Sequence, residues 1–226
     1  MGTFDWTSAA RESWDKMAHR WHSGSVEMWM HGSRKDILPL FKQYIPKGKV
    51  ADLGCGDGYG SWLLFHEGYQ VTGMDLSREM ILLAKQMEDE GLSFEEGDMN
   101  NLPFKDNEFD AVMAINSLEW TEHPLTALQE ISRIVGNGGH ACIGILGPTA
   151  GPRENSFERL KGKQVFCNTM MPWEFERLAS ELGWNKLDEK AVFKKGVPEA
   201  LGSNLSNELR QALTFMTLFI FKIGHA

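Results

Sequence analysis

Three aspartates recur on an even spacing: Asp52, Asp75 and Asp98, each 23 residues after the last. The first stands two residues ahead of Gly54 in the run Val50-Ala51-Asp52-Leu53-Gly54-Cys55-Gly56-Asp57-Gly58-Tyr59-Gly60. That run is a short apolar stretch followed by four alternating glycines. Glycines placed after a strand and before a helix let a ligand touch the main chain, which is how an open α/β sheet holds a nucleotide beyond its strand ends. An acid about 20 residues further on accepts hydrogen bonds from ribose hydroxyls. Asp75 follows Gly54 by 21 and fits that role. A carboxylate there repels a 2′-phosphate, which argues against an NADP-type ligand. Each strand–helix–strand step returns the chain to the same sheet edge, so the three carboxylates are expected around one crevice.

Other chemistry is thinner. His123, beside Glu119 and Glu122, is the candidate general base. The competing reading is that it merely caps the helix opened by Pro124. Cys55 reads as a small turn residue, since nothing nearby in sequence would lower its pKa. Cys55, Cys142 and Cys167 are scattered and odd in number, which gives neither a disulfide framework nor a zinc site. Among the histidines only His19 and His22 have a spacing worth weighing for a metal, and no metal is expected. A Gly-x-Ser-x-Gly nucleophile elbow is missing.

The elements that must position these groups alternate. After the glycine corner a short helix is expected over 61–67, a strand over 70–74 and a helix over 78–90 with Ser77 as its N-cap. Strands follow over 92–96 and 109–115, the latter free of charge after Asp110, as a strand covered on both faces should be. Pro124 suits the first turn of a helix to Val135, ahead of a strand over 140–146. A long connection covers 147–170. A helix over 172–182, a strand near 186–194, a short helix near 204–212 and a strand over 213–222 complete the chain. Strands alternating with helices predict a mainly parallel sheet with helices on both faces. Before the sheet, Trp6, Trp14, Trp21 and Trp29 recur every seven or eight residues, a helical spacing. Such a stripe serves either core packing or a lid over the binding corner.

Composition narrows the setting. The 226 residues are 42% hydrophobic and suit one domain with a sizeable core. Lys and Arg total 23 against 31 acidic residues, a net charge of -8, which disfavours nonspecific nucleic-acid binding. The first residues lack the basic and apolar regions of a signal peptide. The longest apolar stretch, 213–223, is too short for a membrane span. The chain reads as cytoplasmic and soluble, a monomer or homodimer.

These features together resemble the class I S-adenosylmethionine-dependent methyltransferases. The resemblance covers roughly residues 45–185. It is carried by Asp52-Leu53-Gly54-Cys55-Gly56-Asp57-Gly58, Met74-Asp75-Leu76-Ser77 and Glu96-Gly97-Asp98-Met99 with Leu102-Pro103-Phe104. Phe109-Asp110-Ala111-Val112 to Ser117-Leu118, and Ile131-Ser132-Arg133-Ile134-Val135 with Gly138-Gly139, complete it. Within the class the chain looks most like the ubiquinone/menaquinone-biosynthesis type and its small-molecule relatives.

The resemblance implies a Rossmann-like fold, with a mainly parallel seven-stranded sheet, helices on both faces and an antiparallel C-terminal strand. It implies a single domain: residues 1–45 as a helical lid, 46–146 as the cofactor half and 147–226 as the substrate half. It implies S-adenosylmethionine as methyl donor, S-adenosylhomocysteine as product, and a small-molecule acceptor. By position, Gly54, Cys55 and Gly56 would pack on the methionine moiety, and Asp52 would fix that corner and its ammonium. Asp75 would bind the ribose diol with Leu76 against the adenine. Asp98 would take the adenine amino group while the Met99 backbone reads the ring edge. Asn116 would offer a carbonyl to the ammonium, and Arg34 a forked donor to the carboxylate.

Two rivals stay open on sequence. An NAD-dependent oxidoreductase shares the glycine corner and the ribose acid. Its Gly-x-Gly-x-x-Gly spacing would need glycine at Tyr59 or Ser61, and it leaves Asp98 without a role. A non-catalytic S-adenosylmethionine-binding module is the other.

Overall fold

The computed structural model describes residues 4–224. Seven strands form one sheet: β1 (Lys49–Leu53), β2 (Gln70–Asp75), β3 (Leu92–Glu96), β4 (Ala111–Ile115), β5 (His140–Leu146), β6 (Asn185–Phe193) and β7 (Thr214–Lys222). Their order is β3-β2-β1-β4-β5-β7-β6, with β7 antiparallel to both neighbours and the remaining pairs parallel. The order runs outward from β1 to β3 on one side and resumes at β4 on the other. Such a reversal opens a crevice at the carboxyl ends of the strands between β1 and β4.

The helices are α1 (Trp6–Met30), α2 (Ile37–Tyr44), α3 (Tyr59–His66), α4 (Arg78–Ala84), α5 (Pro124–Val135), α6 (Pro172–Glu181) and α7 (Asn207–Ala212). They cover two faces because the buried strands alternate strictly. In β4, Ala111, Met113 and Ile115 pack with Ile37 and Phe41 of α2, Leu64 of α3 and Ile81 of α4. Val112 and Ala114 pack with Leu128 and Ile131 of α5 and Phe175 of α6. A run apolar at every position is what two buried faces require of a period-2 strand.

Two elements depart from expectation. The helix expected over 78–90 ends at Ala84 and tightens into a 3-10 turn, Lys85–Met87. Beyond it Asp89 and Leu92 exchange backbone hydrogen bonds, and the Glu88 side chain accepts from the Phe94 amide, so these residues fold back onto β3 rather than continue the helix. The 147–170 connection holds a 3-10 helix, Gly151–Lys161. Arg153, only 7% exposed, donates to the carbonyls of Leu146, Gly147 and Met170 and so ties both ends of that connection together. No helix among the described residues is long and apolar enough to cross a membrane.

Candidate functional site

The first turn of the crevice is built on a close backbone approach. Gly54 has φ +73°, and a Cβ there would overlap the Ser117 side chain at the end of β4, so no larger residue fits. The amides of Gly54 and Cys55 donate to the Met74 carbonyl at 2.8 and 3.0 Å, lashing this turn to β2. One residue on, the Asp75 carboxylate accepts from the Gly56 amide at 2.8 Å and the Ser77 amide at 2.9 Å. Burial raises Asp75 to about 6 against the pull of those amides. A cationic ligand or a pair of hydroxyl donors would bring it back down.

Further along the edge, Asp98 follows β3 and accepts from the backbone and side-chain nitrogens of Asn100 at 2.9 and 3.0 Å. After β4 the chain turns at Asn116, a non-glycine residue with φ +53°. Its amide and Nδ2 both donate to the Gly144 carbonyl, and its own carbonyl accepts the Trp120 indole N–H at 2.7 Å. Strained backbone of this kind persists where its surroundings hold it, and it clusters at ligand sites. The neighbouring Ser117 hydroxyl is buried with no partner among the described residues.

Helix α1 lies across these strand ends and is hydrogen-bonded to each loop. Trp6 Nε1 donates to the Trp120 carbonyl at 2.7 Å, and the Thr7 hydroxyl reaches Asp98 at 3.4 Å. Arg11 donates to the Leu76 carbonyl, while Asp15 accepts from the Ser77 hydroxyl at 2.6 Å and the Glu79 amide at 3.1 Å. At the glycine turn, buried Asp57 accepts from Ser25 at 2.9 Å and pairs with His22 Nδ1 at 2.8 Å. The tryptophan stripe therefore divides. Trp6, Trp14 and Trp21 face the cleft, and Trp29 packs into the core over Gly60.

Arg34, 7% exposed, projects into the same cleft between the rings of Trp21 and Trp29, at 4.8 and 5.4 Å. None of the described residues accepts a hydrogen bond from its guanidinium. Burial lowers it to about 10, opposed by the charges of Asp52, Asp57 and Glu119. A buried, unbonded fork of five donors is a ready partner for a carboxylate.

The cleft is open, with about 750 Å³ of space between its walls when the solvent-filled mouth is included. Arg34, Gly54, Gly56, Asp75, Leu76, Asp98, Met99 and Asn116 all line it. Three expected residues do not. Asp52 pairs in register with Gly73, two residues short of Asp75, so it is a strand residue beneath the turn rather than a member of the crevice. It is 3% exposed, accepts the Ser61 hydroxyl of α3 at 2.6 Å and is pushed by burial to about 7. Even spacing in sequence misled here because β1 and β2 place their aspartates at different heights. Cys55 turns into the core with Phe41 and Leu64, and burial pushes its thiol well above the usual range. His123 is the residue before α5, 66% exposed on its side chain and 3.9 Å from Glu122, away from the cleft. It stands at the N-cap position of α5, but its side chain makes no capping hydrogen bond. Thr7, Asn100, Ser117 and Trp120 line the cleft without having been singled out; only their position just beyond strand ends or on the tryptophan face could have marked them.

Residues 51–143 match the methyltransferase domain family. An uncharacterized protein of Methanocaldococcus jannaschii is 30% identical over 166 residues, which cover 71% of this chain and 77% of that one. A malonyl-[acyl-carrier protein] O-methyltransferase of Erwinia billingiae is 34% identical over 98 residues, 43% of this chain and 39% of that enzyme. Matches to the curated enzymes with named substrates span less than half of those enzymes' length. In fold, a chain from the complex of the Haloferax volcanii Trm112 methyltransferase activator with a methyltransferase superposes at TM-score 0.73 and 22% identity, covering 96% of this chain and 98% of that one. Domain match and fold agree, and the chain carries a methyltransferase domain over residues 51–143.

Proposed function

We propose that this protein binds S-adenosylmethionine along the ends of β1 to β4 and directs its methyl group to a small-molecule acceptor. The observation that carries the reading is the row Arg34, Asp75, Asp98. An unbonded buried guanidinium stands with two carboxylates along one cleft, a donor and acceptor set matching a molecule with a carboxylate at one end and an adenosine at the other. When bound, the donor supplies a methyl group already activated on a positively charged sulfur.

The chain's own part is to hold and to exclude. Arg34 takes the carboxylate, and the Asn116 carbonyl, with one lone pair beyond the Trp120 bond, serves the ammonium. Asp75, fixed by two amides, takes the ribose diol, and Asp98 with the Met99 backbone takes the adenine. Asp52, beneath the turn and bonded to Ser61, supports that corner from below. Helix α1, bonded to every loop, keeps water out; 1–45 acts as the lid, 46–146 as the cofactor half and 147–226 as the acceptor half. Holding donor and acceptor in line can supply up to about 7–11 kcal/mol of the barrier.

The motif order supports a place near the ubiquinone/menaquinone-biosynthesis type. Relatives include enzymes named for a malonyl-carrier protein and for a phytyl-hydroquinone, chemically unlike acceptors, so the acceptor must be read from the pocket. Calorimetric titration with S-adenosylmethionine, S-adenosylhomocysteine and NAD tests the reading. Binding of the first two and not NAD is expected, with Asp75→Ala weakening it by more than about tenfold. NAD binding alone would restore the oxidoreductase, and product binding with no turnover on any acceptor would leave a binding module.

A further inference from the structure

We propose that the acceptor side of the cleft serves a charge-conserving transfer, to the nitrogen of a neutral tertiary amine or the sulfur of a thioether, with Trp6, Trp14, Trp21 and Trp120 boxing the cationic product. The inference rests on the methyltransferase reading above and names the acceptor class of that site.

It begins from protons. Arg34, Asp75 and Asp98 are the ionisable side chains among the described residues lining the cleft, and each is assigned to the donor molecule. Neighbouring candidates are turned elsewhere. His22 is paired with Asp57, and His123 stands exposed beside Glu122. Glu119 is fully buried outside the cleft lining; its Oε1 accepts the Leu146 amide, and its Oε2 has no partner among the described residues and no opening to the cleft. A general base must reach the proton it removes, and among the described residues no side chain lining the cleft is left over to take one from a phenol, an alcohol or a thiol. A preformed carboxylate acceptor needs no base but calls for a second cation. Neither flanking arginine lines the cleft: Arg11 bonds to the Leu76 carbonyl and pairs with Glu96, while Arg153 gives Nε and Nη2 to the carbonyls of Leu146, Gly147 and Met170 and keeps Nη1 buried without a partner among the described residues.

Nucleophiles that need neither base nor cation in the transfer step are neutral lone pairs on nitrogen or sulfur; a thioether carries no proton, and an aliphatic tertiary amine gives its proton to solvent before it enters. The acceptor lone pair forms the new bond to carbon as the methyl–sulfur bond breaks. That bond's electron pair stays on the departing thioether, the positive charge passes to the acceptor atom, and no proton is released. A pocket suited to this step must favour a soft cation before and after it. Indole is the aromatic ring that does so best. Trp14 stands at the centre of the wall, 5.8 Å from Trp21 at 89° and 5.4 Å from Trp120 at 74°. Arg34, which would repel a cation, is neutralised once the donor's carboxylate is in place, so the box should accept cations only in the loaded protein.

The test uses the full chain saturated with S-adenosylhomocysteine and two isosteric probes, choline and its uncharged analogue 3,3-dimethylbutan-1-ol, titrated by calorimetry. Choline should bind at least about tenfold tighter, and Trp14→Leu should cut that ratio to below about threefold, with Trp14→Phe between. Equal affinities, no choline binding, or a ratio unmoved by Trp14→Leu would each overturn the proposal. A parallel panel should show S-adenosylhomocysteine formed with tertiary amines or dialkyl sulfides; turnover confined to phenols, thiols or carboxylates would also overturn it. If S-adenosylhomocysteine itself fails to bind, the failure lies with the methyltransferase reading instead.

Discussion

Replacing Arg34 with alanine removes the cation assigned to the donor's carboxylate while leaving the adenosine contacts of Asp75 and Asp98 in place. Hydrogen bonds to a charged group contribute about 1.5–3 kcal/mol each. With the bidentate pair offset by water in the emptied space, a net loss near 3 kcal/mol is reasonable, or roughly 100-fold in affinity. The discriminating comparison is between two ligands. S-adenosylhomocysteine carries the carboxylate; 5′-methylthioadenosine shares the adenosine and sulfur and lacks the amino-acid tail. Calorimetry on Arg34→Ala should show the roughly 100-fold loss for the first and less than about threefold for the second. Arg34→Lys keeps charge and loses the fork, so it should fall between. The fold should tolerate the change, because the guanidinium is held buried at a disadvantage that lowers it to about 10, and its contacts are the rings of Trp21 and Trp29. If both ligands weakened alike, Arg34 would be shaping the cleft rather than binding the tail.

Three further outcomes follow from the same geometry. Gly54→Ala meets both a positive φ and the Ser117 side chain, so it should lower stability by more than about 2 kcal/mol in chemical denaturation. Adding Ser117→Gly should recover part of that loss; no recovery would place the whole effect in the backbone angle. Asp15→Ala removes the acceptor of the Ser77 hydroxyl and Glu79 amide, loosening α1 over the cleft. Stopped-flow release of S-adenosylhomocysteine should then accelerate about tenfold, and an unchanged rate would mean that α1 does not govern exit. Asp52 and Asp75, raised to about 7 and about 6, favour the protonated state in the folded protein. Their stabilising contribution is full below the ordinary carboxylate range and lost as pH climbs to those raised values, so the Tm of the ligand-free protein should fall between about pH 4 and pH 7. Asp52→Asn should flatten that fall, and a Tm rising across the window would contradict the sign.

The parallel sheet and its cofactor edge were legible because they depend on local signals. Period-2 burial on two faces marks β4, Ser77 and Pro124 mark the starts of α4 and α5, and the glycines mark the first turn. Asp75 and Asp98 reached the cleft as expected because each sits at or just past a strand end. What sequence spacing leaves open is register and direction. Asp52 is as evenly spaced as the others, yet pairing opposite Gly73 sinks it beneath the turn onto Ser61. His123 neighbours two acids in sequence, yet it is exposed and outside the cleft lining in space. The tryptophans of α1 are periodic either way; only docking the helix across four loops decides that three of them wall a site and Trp29 fills a core. Helical and strand periods are properties of a chain with its neighbours, whereas the height of one strand against another, and the side of a helix that meets a cleft, are fixed only when distant segments pack.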